Sequence, residues 1–309
     1  MGKRRLIIGY RTSSEGADAL ALGRVLAEAT EAVPVVAMVF AWPAEAQGTA
    51  DLAAALAEDS SPPLAFATEA LAGFELETVA LADPSASSAL THLAERERAS
   101  IVVVGSSHRG RIGRTLLGGT AASLAHGAPC ALAVAPRGYA DREWRGLGDV
   151  AVAFDGSPES WSALESAIGL AERVNGRLTV IAVADFPHYG RASAVSTLAD
   201  GDVRDSEIRD KQRVLDLALA RCPSDLEVEP RLLRGDTGTE LVDVSREFHL
   251  LLAGSRRYGA LRRTVLGGAT RRLLTEAECP VLVLPRAAAL DPLGVRARSD
   301  SLGASVART

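Results

Sequence analysis

The chain is poor in lysine, in aromatics and in long apolar runs. Its 34 basic residues include only two lysines, Lys3 and Lys211, and aromatics make up 4% of its 309 residues. No apolar run approaches the roughly 18 residues that a membrane-spanning helix needs. An excess of positive charge is also missing. The net charge is -5, which leaves no electrostatic footprint for nucleic acid or an anionic membrane. The three cysteines form no CxxC pair and suggest no disulfide framework. His92, His108, His126, His188 and His249 show no metal-ligand spacing. There is no GxxxxGK[ST] phosphate loop, no GxGxxG after the first strand and no GxSxG elbow. The opening MGKRRLIIGY is basic and only briefly apolar. It lacks the apolar core and cleavage site of a signal peptide and reads as a first β-strand. Together these absences describe a cytoplasmic globular protein.

What the chain does have is an internal repeat. VVVGSSHRGRIGRTLLGGTAASLAHGAPCALAVAP ends at Pro136, and LLLAGSRRYGALRRTVLGGATRRLLTEAECPVLVLP ends at Pro285. Gly105, Gly110, Gly118, Cys130 and Pro136 recur as Gly254, Gly259, Gly267, Cys279 and Pro285, each 149 residues later. Nearer the N-terminus, Arg11, Ser13 and Leu20 answer to Asp155, Ser157 and Leu164 at an offset of 144. A match this long means two copies of one globular domain. The expected boundaries are 1–140 and 147–287. A polar, glycine-bearing linker runs through about Arg137 to Gly148, and 288–309 is an aperiodic tail expected to be disordered.

Each copy alternates short apolar runs with Ala-rich helical spacing. The runs are RLIIG, PVVAMVF, FELETVAL, SIVVVG and CALAVA in copy one, and DVAVAF, RLTVIAV, LEVEPRLL, HLLLAG and CPVLVL in copy two. Runs so rich in Val, Ile and Leu fit strands buried on both faces. Five strands and about four helices per copy predict an α/β fold with open, mostly parallel sheets and helices on both sides. Ser157-Pro158, Asp83-Pro84-Ser85 and Asp236-Thr237 are candidate helix starts.

In such sheets ligands sit beyond the carboxyl ends of the strands. Two features of each copy lie there. One is the turn after the first strand, YRTSS or FDGSP. The other is the glycine loop after the fourth strand, which leads into a helix whose free N–H groups suit phosphate. A carboxylate at Asp155 is placed to accept hydrogen bonds from a ribose or an adenine amine. The same glycines also read as packing residues that hold the loop on the sheet. The arginines near the second loop, among them Arg257, Arg271 and Arg272, read either as a phosphate rim or as a solvated helix face.

The DGS turn at Asp155-Gly156-Ser157, the glycine loops and the APC/ECP segments resemble the universal stress protein family, in tandem, over nearly all of residues 3–286. The resemblance implies two five-stranded sheets of order 3-2-1-4-5, of the adenine-nucleotide alpha-hydrolase-like type. It also implies that the last strands of the two copies lie together as an internal pseudo-dimer. Family binders of ATP carry an aspartate after the first strand and the pattern Gly-x2-Gly-x9-Gly-Ser/Thr. This chain departs from that pattern. Copy two keeps Asp155 but reads Gly254-x2-Arg257-x9-Gly267-Gly268. Copy one has Arg11 in place of the aspartate and reads Gly105-x2-His108-x9-Gly118-Gly119, with Thr120 one place later.

The candidate nucleotide contacts are therefore Asp155, Gly156, Ser157, Val183, Gly254, Arg257, Gly259, Gly267 and Gly268. Copy one offers a lesser set in Gly105, Gly110, Gly118, Gly119 and Thr120. The expected ligand is ATP or another adenine nucleotide, with Mg only alongside it. No catalytic base or metal carboxylates for turnover stand out. The leading expectation is a non-catalytic stress-response or regulatory protein with an unidentified protein partner. The alternatives are an interaction protein that binds no nucleotide and, ranked lower, a slow ATP hydrolase.

Overall fold

The computed structural model describes residues 3–41, 50–106, 119–142, 146–185, 197–255, 267–285 and 293. The first half contains β1 (Arg5–Tyr10), α1 (Ser14–Thr30), β2 (Val33–Phe40), α2 (Ala50–Ala70), β3 (Glu77–Ala82), α3 (Ala86–Glu97), β4 (Ile101–Gly105), α4 (Gly119–Gly127) and β5 (Ala131–Ala135). The second contains β6 (Asp149–Ala153), α5 (Pro158–Arg173), β7 (Arg177–Asp185), α6 (Thr197–Arg221), β8 (Val228–Gly235), α7 (Thr237–Ser245), β9 (Leu250–Gly254), α8 (Gly268–Glu276) and β10 (Val281–Leu284).

Each half has the expected order 3-2-1-4-5, and the two five-stranded halves join at their last strands. The strands form one ten-stranded sheet, β3-β2-β1-β4-β5-β10-β9-β6-β7-β8. The reason lies at the seam. β5 and β10 pair antiparallel, with Val281 opposite Val134, Leu282 opposite Ala133 and Val283 opposite Leu132. Every other pairing in the sheet is parallel. Each copy's last strand is thereby removed from the edge, where unpaired N–H and C=O groups would recruit other chains. The expected neighbourhood of CALAVA and CPVLVL is thus a direct hydrogen-bonded ladder.

The central strands are nearly free of charge because both sheet faces are covered there. Leu6 and Ile8 belong to one core, with Leu22 and Leu26 of α1, Ala67 of α2, Leu164 and Ile168 of α5, and Leu215 of α6. Ile7 belongs to the other, with Leu90 and Leu93 of α3, Leu124 of α4, Leu241 of α7, and Leu273 and Leu274 of α8. Each fully buried aliphatic side chain of this kind contributes roughly 1.5–3 kcal/mol by leaving water. The predicted helix starts are real caps. Ser157 Oγ accepts from Ser160 N, Ser85 Oγ from Ser88 N, and the Asp236 carboxylate from Thr239 N. Pro158 occupies the first turn of α5, where its missing N–H costs nothing.

The linker is held more firmly than its polar composition suggests. The Asp18 carboxylate, 2% exposed on α1, accepts hydrogen bonds from Gly138 N at 3.0 Å and Ala140 N at 2.8 Å. Tyr139 between them is buried, and Arg142 donates to the Glu278 carbonyl of the second half at 2.6 Å. The expectation of a disordered 288–309 tail lies outside the described residues apart from Leu293, which is fully buried in the first of the two cores. Among the described residues, no helix is long and apolar enough to cross a membrane.

Candidate functional site

The carboxyl ends of β6, β7 and β9 open into a cleft of about 700 Å³ in the second half. Its walls bring together Asp155, Ser157, Val183, Gly254, Gly267 and Gly268, residues up to about a hundred positions apart in the chain. Asp155 stands just past β6, and its Oδ1 accepts from Ser157 N at 3.0 Å. Gly156 between them has φ +82°, a left-handed conformation that glycine adopts without strain. Asp155, Gly156 and Ser157 therefore form one device: a turn that aims a carboxylate and then caps α5. Val183, 7% exposed on β7, supplies an apolar wall.

The glycine loop divides into two roles. A Cβ on Gly254 would lie 2.7 Å from the Glu159 carbonyl carbon, and one on Gly105 would lie 2.0 Å from the Glu15 carbonyl oxygen. The close approach that requires glycine at these two positions is made by the first turn of α5 or α1. Gly268 and Gly119 differ, because a Cβ on either would meet nothing within 4 Å. Gly267 is the N-cap of α8, and no side chain caps that helix end. With Gly268, Ala269 and Thr270 it lines the cleft. The helix thus offers backbone N–H groups and the positive end of its dipole to whatever the cleft holds. Thr270 ties this end of α8 back to the Gly254 carbonyl at 3.4 Å. Arg257, Gly259, Gly110 and Gly118 lie outside the described residues.

Several lining residues escaped the reading of the sequence. Asp185 ends β7, and its Oδ2 accepts from Thr237 Oγ1 at 3.1 Å. Asp236, noticed only as a cap, also faces the cleft and is joined to Arg272 of α8 at 3.1 Å. Thr239 donates to the Asp236 carboxylate through both its hydroxyl and its backbone, and with Arg272 this holds that carboxyl below its ordinary range. Arg272 also reaches Thr239 Oγ1 at 2.6 Å and Glu276 at 3.1 Å. Lys211 and Glu207 of α6 face each other across 3.6 Å at the mouth. The described walls thus carry four carboxylates, Asp155, Asp185, Glu207 and Asp236, and two cations that are already paired. Among the described residues no group of three or more His, Cys, Asp or Glu is arranged to hold a metal ion.

The corresponding turn of the first half is built differently. Arg11 is exposed and folds onto its own helix start, with Nε donating to Ser13 Oγ at 3.0 Å and Nη2 near Glu15 at 3.4 Å. Strand register places Ala41 where the second half has Asp185. Ser85 caps α3 where Asp236 caps α7. Gly119 and Thr120 open α4 as Gly268 and Ala269 open α8.

The model of the universal stress protein family matches the chain twice, over residues 3–136 and 147–285. The universal stress protein Rv2319c of Mycobacterium tuberculosis is 25% identical over 302 residues, covering 91% of this chain and 99% of its own. The universal stress protein YxiE of Bacillus subtilis is 24% identical over 147 residues and covers 43% of this chain. Among solved structures, a universal stress protein from Archaeoglobus fulgidus superposes with a TM-score of 0.63 at 18% identity, over 93% of this chain and all of its own. Both halves match one family model, and the relatives from Mycobacterium and Archaeoglobus span both. The chain belongs to the universal stress protein family and carries two of its domains in tandem.

Proposed function

We propose that the second domain binds an adenine nucleotide in the 700 Å³ cleft, and that the chain acts as a non-catalytic, ligand-responsive regulatory protein in the cytoplasm. One observation carries this reading. Asp155, the apolar Val183 wall and the uncapped N-terminus of α8 face a single cleft of nucleotide size. The base lies against Val183, and Asp155 accepts a hydrogen bond from the ribose or the adenine amine. Because Lys211 and Arg272 are already paired with carboxylates, the phosphates depend on the N–H groups of residues 268–270. Mg enters only with the nucleotide. Occupancy then biases the loops around the cleft and the surface they present to a partner. Isothermal titration with ATP tests this reading. Heat from the wild type that is lost in Asp155→Ala supports it, and no heat from the wild type overturns it.

A second reading is favoured by Gly105 and Gly254. Both are required by helix packing whether or not a ligand is present, so the repeated glycine scaffold also suits an interaction protein without nucleotide. A silent titration together with partner capture that ATP does not alter would select that reading. Phosphate release with Mg-ATP separates either from a hydrolase.

A further inference from the structure

Two helix starts line the cleft of the second domain, and they are finished differently. Asp236, Thr237 and Gly238 bring the start of α7 to its wall, and Gly267, Gly268 and Ala269 bring the start of α8. The two starts touch, since a Cβ on Gly238 would lie 3.4 Å from the Ala269 Cα. Each has N–H groups without intrahelical partners and the positive end of a dipole, so each suits an anion. At α8 no side chain caps those groups. At α7 the chain supplies the anion itself.

That anion is Asp236. Its carboxylate accepts from Thr239 N at 2.9 Å and from Thr239 Oγ1 at 2.6 Å. Arg272 of α8 reaches the same carboxylate at 3.1 Å. A helix start, a hydroxyl and a guanidinium are partners that suit a phosphate, and here one carboxylate engages all three. Thr239 and Arg272 hold its carboxyl below the ordinary range, so it stays charged at neutral pH. Asp185 sets a second carboxylate beside the start of α7, where it accepts from Thr237 Oγ1 at 3.1 Å. The first domain has neither member of the Asp236–Arg272 pair. Ser85 caps α3, and Ser123 stands 149 residues before Arg272.

We infer, on the basis of the nucleotide reading above, that Asp236 is a specificity-determining residue that occupies one of the cleft's two anion positions and restricts the ligand to a single phosphate, as in AMP, at the start of α8. A longer phosphate chain brings further negative charge beside the Asp236 carboxylate. Arg272, the cation nearest to that place among the described lining residues, is already shared between Asp236 and Glu276. The extra phosphates of ATP therefore gain nothing from the α7 side of the cleft.

Titration calorimetry with AMP and with ATP, in metal-free buffer at low salt, reads the ratio of the two affinities while charge is least screened. Asparagine caps a helix about as well as aspartate, so Asp236→Asn removes the charge and keeps the start of α7. It should raise the affinity for ATP relative to AMP about five-fold, the scale of one exposed charge acting on about two further negative charges. Arg272→Gln leaves Asp236 without its cation and should move the ratio the other way. Asp149→Asn removes a carboxylate paired with Arg177 at the opposite, amino end of β6 and should leave the ratio unchanged. A wild type that binds AMP at least as tightly as ATP, together with these three responses, supports the inference. A wild type that prefers ATP, a ratio that Asp236→Asn leaves where it was, or an equal shift from Asp149→Asn overturns it. Heat from neither nucleotide overturns the nucleotide reading itself, and the inference with it.

Discussion

The two domains share a packing scaffold and differ in the residues that face the cleft. Ser13 and Ser157 cap the same helix, and Gly105 and Gly254 admit the same helix start onto the sheet. Yet Arg11 stands where Asp155 stands, Ala41 where Asp185 stands, and Ser85 where Asp236 stands. The difference teaches that the two sets of residues answer to separate constraints. A glycine under a helix backbone cannot change without moving that helix. A side chain at the mouth of a cleft can change while the fold persists. Experiments that strike the scaffold should therefore harm both domains alike, and those that strike the cleft should affect only the second.

The largest effect is expected from the scaffold. Gly105→Ala and Gly254→Ala each drive a Cβ into the backbone at the start of a helix, so that helix or its strand must shift. Urea unfolding should show a loss of about 3 kcal/mol for each, at the upper end of ordinary overpacking costs. The approach is closer at Gly105, 2.0 Å against 2.7 Å, so Gly105→Ala should be the worse of the pair. A well-folded Gly254→Ala protein that had lost only nucleotide binding would break the comparison, because that glycine would then belong to the ligand.

Next comes the carboxylate. Asp155→Ala should weaken ATP binding by about 2 kcal/mol, the scale of a hydrogen bond to a charged group, or some thirty-fold in Kd by titration calorimetry. Arg11→Ala at the matching position of the first domain should leave the isotherm unchanged. Equal losses from both would mean that the first domain also binds.

A smaller effect is expected at the linker, where the domains again differ. Asp18 accepts two backbone N–H groups, and its counterpart at the repeat offset is Ser162. Asp18→Asn turns one of those acceptors into a donor and should cost about 1.5 kcal/mol by thermal unfolding. Burial of the carboxylate is the largest influence on its pKa and raises it above the ordinary value. A raised folded value makes the group's contribution to stability greatest at low pH, and that contribution fades as pH rises through the raised value. The wild type's advantage over Asp18→Asn should therefore widen as pH falls from 7 towards 4.

These comparisons also mark how much the sequence alone could reveal. The repeat, the buried strand runs and the Ser157-Pro158 start were legible, because each depends on local spacing or on the duplication itself, whereas the meeting of the last strands came from the family resemblance. The single ten-stranded sheet was not legible, since nothing in CALAVA or CPVLVL states whether neighbouring strands bond. Asp185 was missed, and Thr237 and Arg272 were read only as part of a helix start and as a rim or solvated-face arginine, because the sheet gathers them from three elements with no shared local motif. Gly105 and Gly254 were open to both a ligand and a packing reading. Only the position of the Glu15 and Glu159 backbones shows what a Cβ would strike. The hold of Asp18 on the linker was not legible, because the backbone N–H groups it accepts lie 120 and 122 positions away in the chain.

The smallest effect should be a gain. Gly268 and Gly119 stand where the family's binding pattern carries a hydroxyl residue, and a side chain at either position meets open space. Gly268→Ser therefore requires no repacking. Its hydroxyl would lie at the uncapped start of α8, where an added donor can meet phosphate. One net hydrogen bond is worth about 0.5–1.5 kcal/mol, so ATP should bind roughly three-fold to ten-fold more tightly, read by the same titration. Gly119 opens α4 in the same way, but its domain carries Arg11 in place of the aspartate, and Gly119→Ser should change nothing in the isotherm. A gain at Gly119 equal to that at Gly268 would show that the first domain keeps a working phosphate site without its carboxylate. The functional difference between the domains would then rest on the base end of the cleft alone.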